Sequence, residues 1–196
     1  DEFPVNIGHW QRENFQRNHI AKGLSSVSED DYVMISDVDE IPDLSQIKNL
    51  DNYKYTAFKQ KNLFYKFNLI NKTIPDWYGT KICKKKYLKN PQWLRNQKVK
   101  KFSIFKFYRI KWNIIENGGW HFSYLMEPKK IQEKIKAFAH SEYNSEFYTD
   151  ITRIEKVINN KQDLFERKQE YEQIDIDNSY PSFILSNKDK LINWIA

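Results

Sequence analysis

Between residues 10 and 27, positions Trp10, Glu13, Arg17, Ile20, Leu24 and Val27 recur at spacings of three and four, which predicts a helix with Gly23 as its weak point. After Asp30-Asp31 the pattern becomes an unbroken β-rich run, Tyr32-Val33-Met34-Ile35, which predicts a buried strand. That run stops abruptly at Ser36-Asp37-Val38-Asp39-Glu40-Ile41-Pro42. A helix followed by a strand that ends in carboxylates is an α/β pattern.

From about residue 54 to 124 the chain is strand-like. Tyr55, Ala57 and Phe58, then Leu63, Phe64, Tyr65 and Phe67, are β-formers separated by Lys and Asn. Further strands are predicted over residues 80–83, 103–108 and 120–124, the last entered through Gly118-Gly119. From Pro128 onward the period turns helical: Ile131, Ile135 and Phe138 share a face, and Pro128 suits the first turn. A second helix is predicted after Asp150 on the stripe Ile151, Ile154 and Ile158. A third segment begins at Leu164-Phe165, and residues 181–194 read as one or two short helices. No repeat and no Gly/Ser/Pro-rich linker divides the chain, so residues 1–196 read as one mixed α/β domain.

Composition narrows the class. With 40% hydrophobic and 16% aromatic residues the chain can bury a core, and 5 Gly with 6 Pro exclude collagen-like or low-complexity sequence. The single cysteine, Cys83, forms no internal disulfide and no Cys-based zinc site, which fits a reducing compartment or a fold that owes nothing to disulfides. No apolar run is long enough to span a membrane. The chain opens Asp1-Glu2-Phe3, the pattern of a processed or trimmed start, so no targeting signal is readable. A net charge of +6, with Lys runs at Lys84-Lys85-Lys86 and around Lys98 to Lys101, favours anionic partners or only solubility.

Two segments carry candidate chemistry. In an extended chain Asp37 and Asp39 point to the same side, and two such carboxylates at a strand end suit Mg2+ or Mn2+ and, through it, a diphosphate. Asp-x-Asp alone has little weight, since about one copy is expected by chance in a chain of this composition. A second copy, Asp175-Ile176-Asp177, lies in a polar stretch with no strand before it. The strand before Asp37, and the crowding of Asp37, Asp39 and Glu40, distinguish the first copy; the alternative is a solvated turn that caps a helix. In Gly118-Gly119-Trp120-His121-Phe122-Ser123-Tyr124, the glycines permit close backbone approach and Trp120 offers a face to a sugar ring or base. His121 is then a metal ligand or an acid/base group, or the segment is an aromatic core strand. His140 and Glu142 form a hydrogen-bonded pair, or His140 caps the preceding helix. Arg17 reaches a phosphate or pairs with Glu13. Asn71-Lys72-Thr73 is a formal glycosylation sequon.

Together these segments resemble glycosyltransferase family 17, the family of the β-1,4-mannosyl-glycoprotein N-acetylglucosaminyltransferases that add bisecting GlcNAc. The resemblance runs in order through Trp10-Gln11-Arg12-Glu13, Gln16-Arg17-Asn18, Ser36 to Pro42, Asn62 with Tyr65 and Asn68, and Trp77 with Gly79-Thr80. It continues through Gly118 to Tyr124, Lys134-Ile135-Lys136 to His140 and Glu142, Asp163-Leu164-Phe165, and Pro181. It implies a GT-A-like α/β fold, a mixed sheet flanked by helices with a helical C-terminal part. In the family a further N-terminal stretch is expected to supply strand-helix units for the nucleotide's base and ribose, and this chain starts after it.

The resemblance also implies a nucleotide-sugar donor, UDP-GlcNAc first, a glycan or glycoprotein acceptor, Mn2+ or Mg2+, and inversion at the anomeric carbon. Asp37 and Asp39 would hold the metal, and Arg17, Asn18, Asn62, Tyr65, Gly119, Trp120 and His140 would line the donor and substrate site. The base would be Glu142, Glu40, Glu127 or His121. The compartment follows the source: cytoplasmic for a microbial or viral protein, which the Lys/Asn-rich composition suggests, or the Golgi lumen if it follows the animal members. Two rivals are a non-catalytic carbohydrate-binding module and a basic nucleic-acid-binding module. The second would set the acidic cluster against phosphate with the wrong sign, so no specific nucleic acid is expected.

Overall fold

A computed structural model of the chain describes residues 8–99, 110–137 and 141–196. The strand expected over 103–108, Phe138 and His140 lie outside the described residues. The fold is mixed α/β, two mixed sheets flanked by helices. By their contacts the residues form two compact units, 1–60 with 77–120 and 61–76 with 121–196.

In the first unit, α1 (His9–His19) continues as a tighter 3-10 turn over Ile20–Leu24, so the expected helix ends at Leu24, just beyond Gly23. The sheet has the order β1 (Tyr32–Ile35), β7 (Lys81–Lys84), β3 (Tyr55–Phe58), β8 (Trp112–Ile115). β3 and β8 are parallel, whereas β1 with β7 and β7 with β3 are antiparallel. The expectation of a fully buried β1 is corrected. Val33 and Ile35 are 5% and 2% exposed, but Tyr32 and Met34 are 38% and 37% exposed, because β1 is an edge strand covered on one face. Val33, Ile35, Ala57, Cys83, Leu94 and Trp112 form the main core of this unit. Leu94 comes from α2 (Pro91–Asn96), where the Asn90 side chain caps the Trp93 amide at 2.7 Å and Pro91 fills the first turn.

In the second unit, β10 (Tyr171–Gln173), β5 (Leu69–Asn71), β4 (Gln60–Phe64) and β9 (Gly119–Ser123) follow one another, with β6 (Asp76–Trp77) on β4. Gln60 of β4 and Gly119-Trp120 of β9 belong to the first unit, as does β2 (Glu40–Pro42). α3 (Pro128–Ala137) and α5 (Ile151–Asn159) bury Ile131, Ile135, Ile154 and Val157 against Phe64, Tyr65, Leu69, Tyr124, Leu164 and Phe165. α4 (Glu146–Thr149) precedes α5, whose first turn is capped by the Asp150 carboxylate on the Arg153 amide at 2.6 Å. The inward stripe of α5 is Ile154 and Val157, and Ile151 is 36% exposed. Leu164-Phe165 starts no helix, because the buried Asp163 carboxylate gathers the amides of Phe165, Arg167 and Gln169 and holds a loop. α6 (Ser182–Ser186) and a 3-10 turn over Lys188–Trp194 end the chain. The sequon is part of this framework: Asn71, 1% exposed, bonds Gln169 at 2.9 Å and receives the Ile74 amide.

Among the described residues, no helix is long and apolar enough to cross a membrane.

Candidate functional site

Strand geometry ends at Ile35. The next residues form a tight turn, closed by the Glu40 amide on the Asp37 carbonyl at 3.0 Å, so the extended geometry expected for Asp37 and Asp39 is corrected. Val38 at the tip is 98% exposed and Asp39 is half-buried. Glu40 points inward, and its side chain has no exposed surface. It accepts from the Trp77 indole at 2.7 Å, Arg95 Nη2 at 2.8 Å, Thr80 Oγ1 at 3.1 Å and the Asp37 amide at 3.1 Å. Gly79 makes room for this carboxylate; a Cβ there would overlap both Glu40 and the Trp77 indole nitrogen. Glu40 is thus the anchor of the turn, enclosed by its donors.

Asp37 faces two arginines. Arg95 donates to Oδ2 from Nε at 3.2 Å and from Nη2 at 2.7 Å, and Arg17 donates to Oδ1 at 3.2 Å. Burial pushes the Asp37 carboxyl up, but the charge and hydrogen bonds of Arg95, then of Arg17, outweigh it and hold the carboxyl below its ordinary value. Arg17 also pairs with Glu13 at 3.0 Å and bonds Gln92, whose amide donates to Asn18 Oδ1 at 3.1 Å. Arg95 lies over Trp77, 5.6 Å from the ring centre, and its carbonyl accepts from Lys81 Nζ at 2.6 Å.

Lys81 is 3% exposed. Burial, helped by the charge of Arg95 and opposed by Glu40 and Asp37, pulls its ammonium down to about 8. The unfolded chain therefore holds this proton up to about pH 10.4, and the folded chain releases it earlier. Between those values stability rises with pH, by on the order of 2 to 3 kcal/mol from this group alone. Burial raises the Cys83 thiol to about 11, which works in the opposite direction. The measurement is therefore a comparison: urea unfolding of wild type and Lys81→Met from pH 7.5 to 10.5. We expect wild type to gain on the variant as pH rises; parallel profiles would show that Lys81 titrates at its ordinary value.

The second motif meets the first through its glycines. The Gly118 amide donates to Lys59 O at 2.7 Å, and Gly118 O accepts from the Asp43 amide at 3.0 Å. A Cβ on Gly119, at φ +119°, would run into the backbone of Ile41, Pro42 and Asp43. The close approach read from these glycines is to the chain's own backbone. Trp120 is 8% exposed, and its carbonyl accepts from Gln60 at 3.4 Å.

The remaining candidates lie in the second unit. His121 is 7% exposed, with Nδ1 2.9 Å from Asn62 Oδ1. Asn62 Nδ2 donates to Ile74 O at 2.8 Å, which fixes the amide with its oxygen toward the ring. The histidine then carries its proton on Nδ1 when neutral, and its basic lone pair is on Nε2. Tyr65, 2% exposed, is a core residue whose hydroxyl accepts from the Leu164 amide at 3.2 Å. Glu142 is exposed in a short 3-10 turn over Ser141–Tyr143, and Glu127 is exposed just before α3. Asp177 of the second Asp-x-Asp closes a local turn on Ser179.

A small divalent cation needs carboxylate oxygens with lone pairs to spare. Asp37 gives both of its oxygens to guanidinium groups, and Glu40 is enclosed. Asp39 is the half-buried carboxylate of the turn, and a small divalent cation takes one or two carboxylates, with substrate phosphates and water completing its shell. Among the described residues, no three His, Cys, Asp or Glu side chains converge as a metal site.

With two mixed sheets flanked by helices, the chain is of the mixed α/β class, and its acidic turn at the end of β1 is tied to a glycine-led strand. The family model for glycosyltransferase family 17 matches residues 4–176, so the chain belongs to that family and is a glycosyltransferase. Searches of curated proteins and of solved structures returned no match.

Proposed function

We propose that the chain transfers a sugar, N-acetylglucosamine first among the candidates, from a UDP-sugar to a glycan hydroxyl with inversion, assisted by Mn2+ or Mg2+. The observation that carries this reading is the joining of the acidic turn to the glycine pair, which makes one element of the two blocks on which the family resemblance rests. Asp39 would hold the cation together with the donor's diphosphate. When bound, the cation offsets charge on the departing nucleoside diphosphate. Arg17 would meet the diphosphate from α1. Trp120 and His121 would line the sugar site. Of the four candidate bases, Glu142 and Glu127 are exposed carboxylates, His121 is buried and Glu40 is enclosed; one of the first three would take the acceptor's proton.

The basic charge gives little support to a nucleic-acid partner. Lys84 pairs with Asp51 at 2.8 Å, Lys85 with Glu29 at 3.1 Å and Lys86 with Asp30 at 2.5 Å, so this run is neutralised locally. Calorimetry with UDP tests the proposal. Binding should require Mn2+ and disappear in Asp39→Ala, while circular dichroism shows the fold retained. Equal binding in EDTA, or wild-type binding by the variant, would refute the cation assignment.

A further inference from the structure

We infer that Asp37 serves this reaction by holding Arg17 and Arg95, and is not itself a ligand of the cation. The inference rests on the reading of the acidic turn proposed above. A carboxylate has about four lone-pair positions. In Asp37, Oδ2 meets Arg95 at 2.7 and 3.2 Å and Arg17 at 3.5 Å, and Oδ1 meets Arg17 at 3.2 Å, so both oxygens face guanidinium charge and Oδ2 has no lone pair to spare.

Neither arginine is free to leave. The Arg95 head also bonds Glu40 at 2.8 Å, it lies over the Trp77 ring, and Lys81 fastens its carbonyl. Arg17 is tied to Glu13 and Gln92. Their side chains are only 13% and 15% exposed. A cation taking over Asp37 would stand beside two guanidinium groups and would deprive both of a shared counter-charge. Asp37 therefore fastens α1, through Arg17, and α2, through Arg95, to the end of β1. It is a positioning residue that sets the cationic flank of the turn.

The test has three arms on the full chain. First, Mn2+ uptake in the presence of UDP is followed by electron paramagnetic resonance. Asp37→Asn should keep wild-type affinity within about threefold, while Asp39→Asn should lose at least about tenfold. Second, melting temperatures of Asp37→Asn, Arg17→Gln and the double variant form a cycle. The double variant should melt within about 2 °C of the less stable single variant, because both remove the same interaction. Third, hydrogen exchange in wild type with and without Mn2+ and UDP should show no loss of protection in α1. This arm decides the matter if Asp37→Asn does not fold. Loss of Mn2+ in Asp37→Asn to match Asp39→Asn, additive melting losses, or deprotection of α1 by Mn2+ would each overturn the inference. If wild type takes up no Mn2+, the cation reading of the proposed function fails, and the melting cycle still decides the role of Asp37.

Discussion

Glu40→Ala is expected to lower stability by about 3 to 5 kcal/mol, the range for removing one partner of a buried ion pair. Its carboxylate is fully enclosed and is the shared acceptor for the Trp77 indole, the Thr80 hydroxyl, the Asp37 amide and Arg95. Each of these donors would be left in a site closed to compensating water. Gly79→Ala should do comparable damage without removing a charge, since its methyl would occupy the position of the Glu40 carboxylate. The carboxylate cannot swing aside without breaking these bonds and the one from Ser36 Oγ. Glu40→Gln should fall between, because it keeps an acceptor oxygen but loses the charge that Arg95 faces. Urea unfolding of the three variants checks this order. A Glu40→Ala protein within about 1 kcal/mol of wild type would show that the inward carboxylate does not organise the turn.

The position of the turn was legible because its signal is local: a β-rich run, then crowded carboxylates. Its internal geometry was not. Whether Asp37-Val38-Asp39-Glu40 is extended or turned depends on where Glu40 finds donors, and these come from residues 37 and 40 positions away and from Arg95, 55 positions away. Arg95 left no mark as a site residue, since its partner Asp37 is 58 positions distant. A readable sign did exist in Asn90-Pro91, a cap and first-turn pair that starts α2 and so presents Arg95 one turn later.

For the helices, Pro128 and the Asp150 cap marked the starts of α3 and α5, because caps act within one turn. Strands β2, β5, β6 and β10 are two or three residues long, too short for an alternating pattern to be recognisable. Asn62, Tyr65 and Asn68 stood in the family resemblance with no local reason. The structure supplies one: they bond His121, the Leu164 amide and the Ala196 amide across the second unit.

Gly119→Ala is expected to cost more than the same change at its neighbour Gly118. Two penalties coincide at Gly119. At φ +119° an L side chain is strained, at a cost of about 1 to 3 kcal/mol. The added methyl would also press on the backbone of Ile41, Pro42 and Asp43, which cannot rotate away as a side chain tip can, for about 1 to 3 kcal/mol more. Gly118→Ala adds a methyl 2.8 to 2.9 Å from Ile115 O, Lys59 N and Phe58 Cβ, and Gly118 has no left-handed backbone, so it should cost less. The Gly119 change pushes on β2 immediately after the acidic turn, so it should also weaken Mn2+-dependent UDP binding by more than its melting loss accounts for at temperatures where the variant is folded. Gly118→Ala acts on the far side, against β3 and β8, and should lose stability with binding largely preserved. Thermal unfolding with calorimetry on both variants separates the two effects. Equal losses of stability and binding in both would mean that the glycine pair acts as one packing site, and that its contact with residues 41–43 does not set the turn.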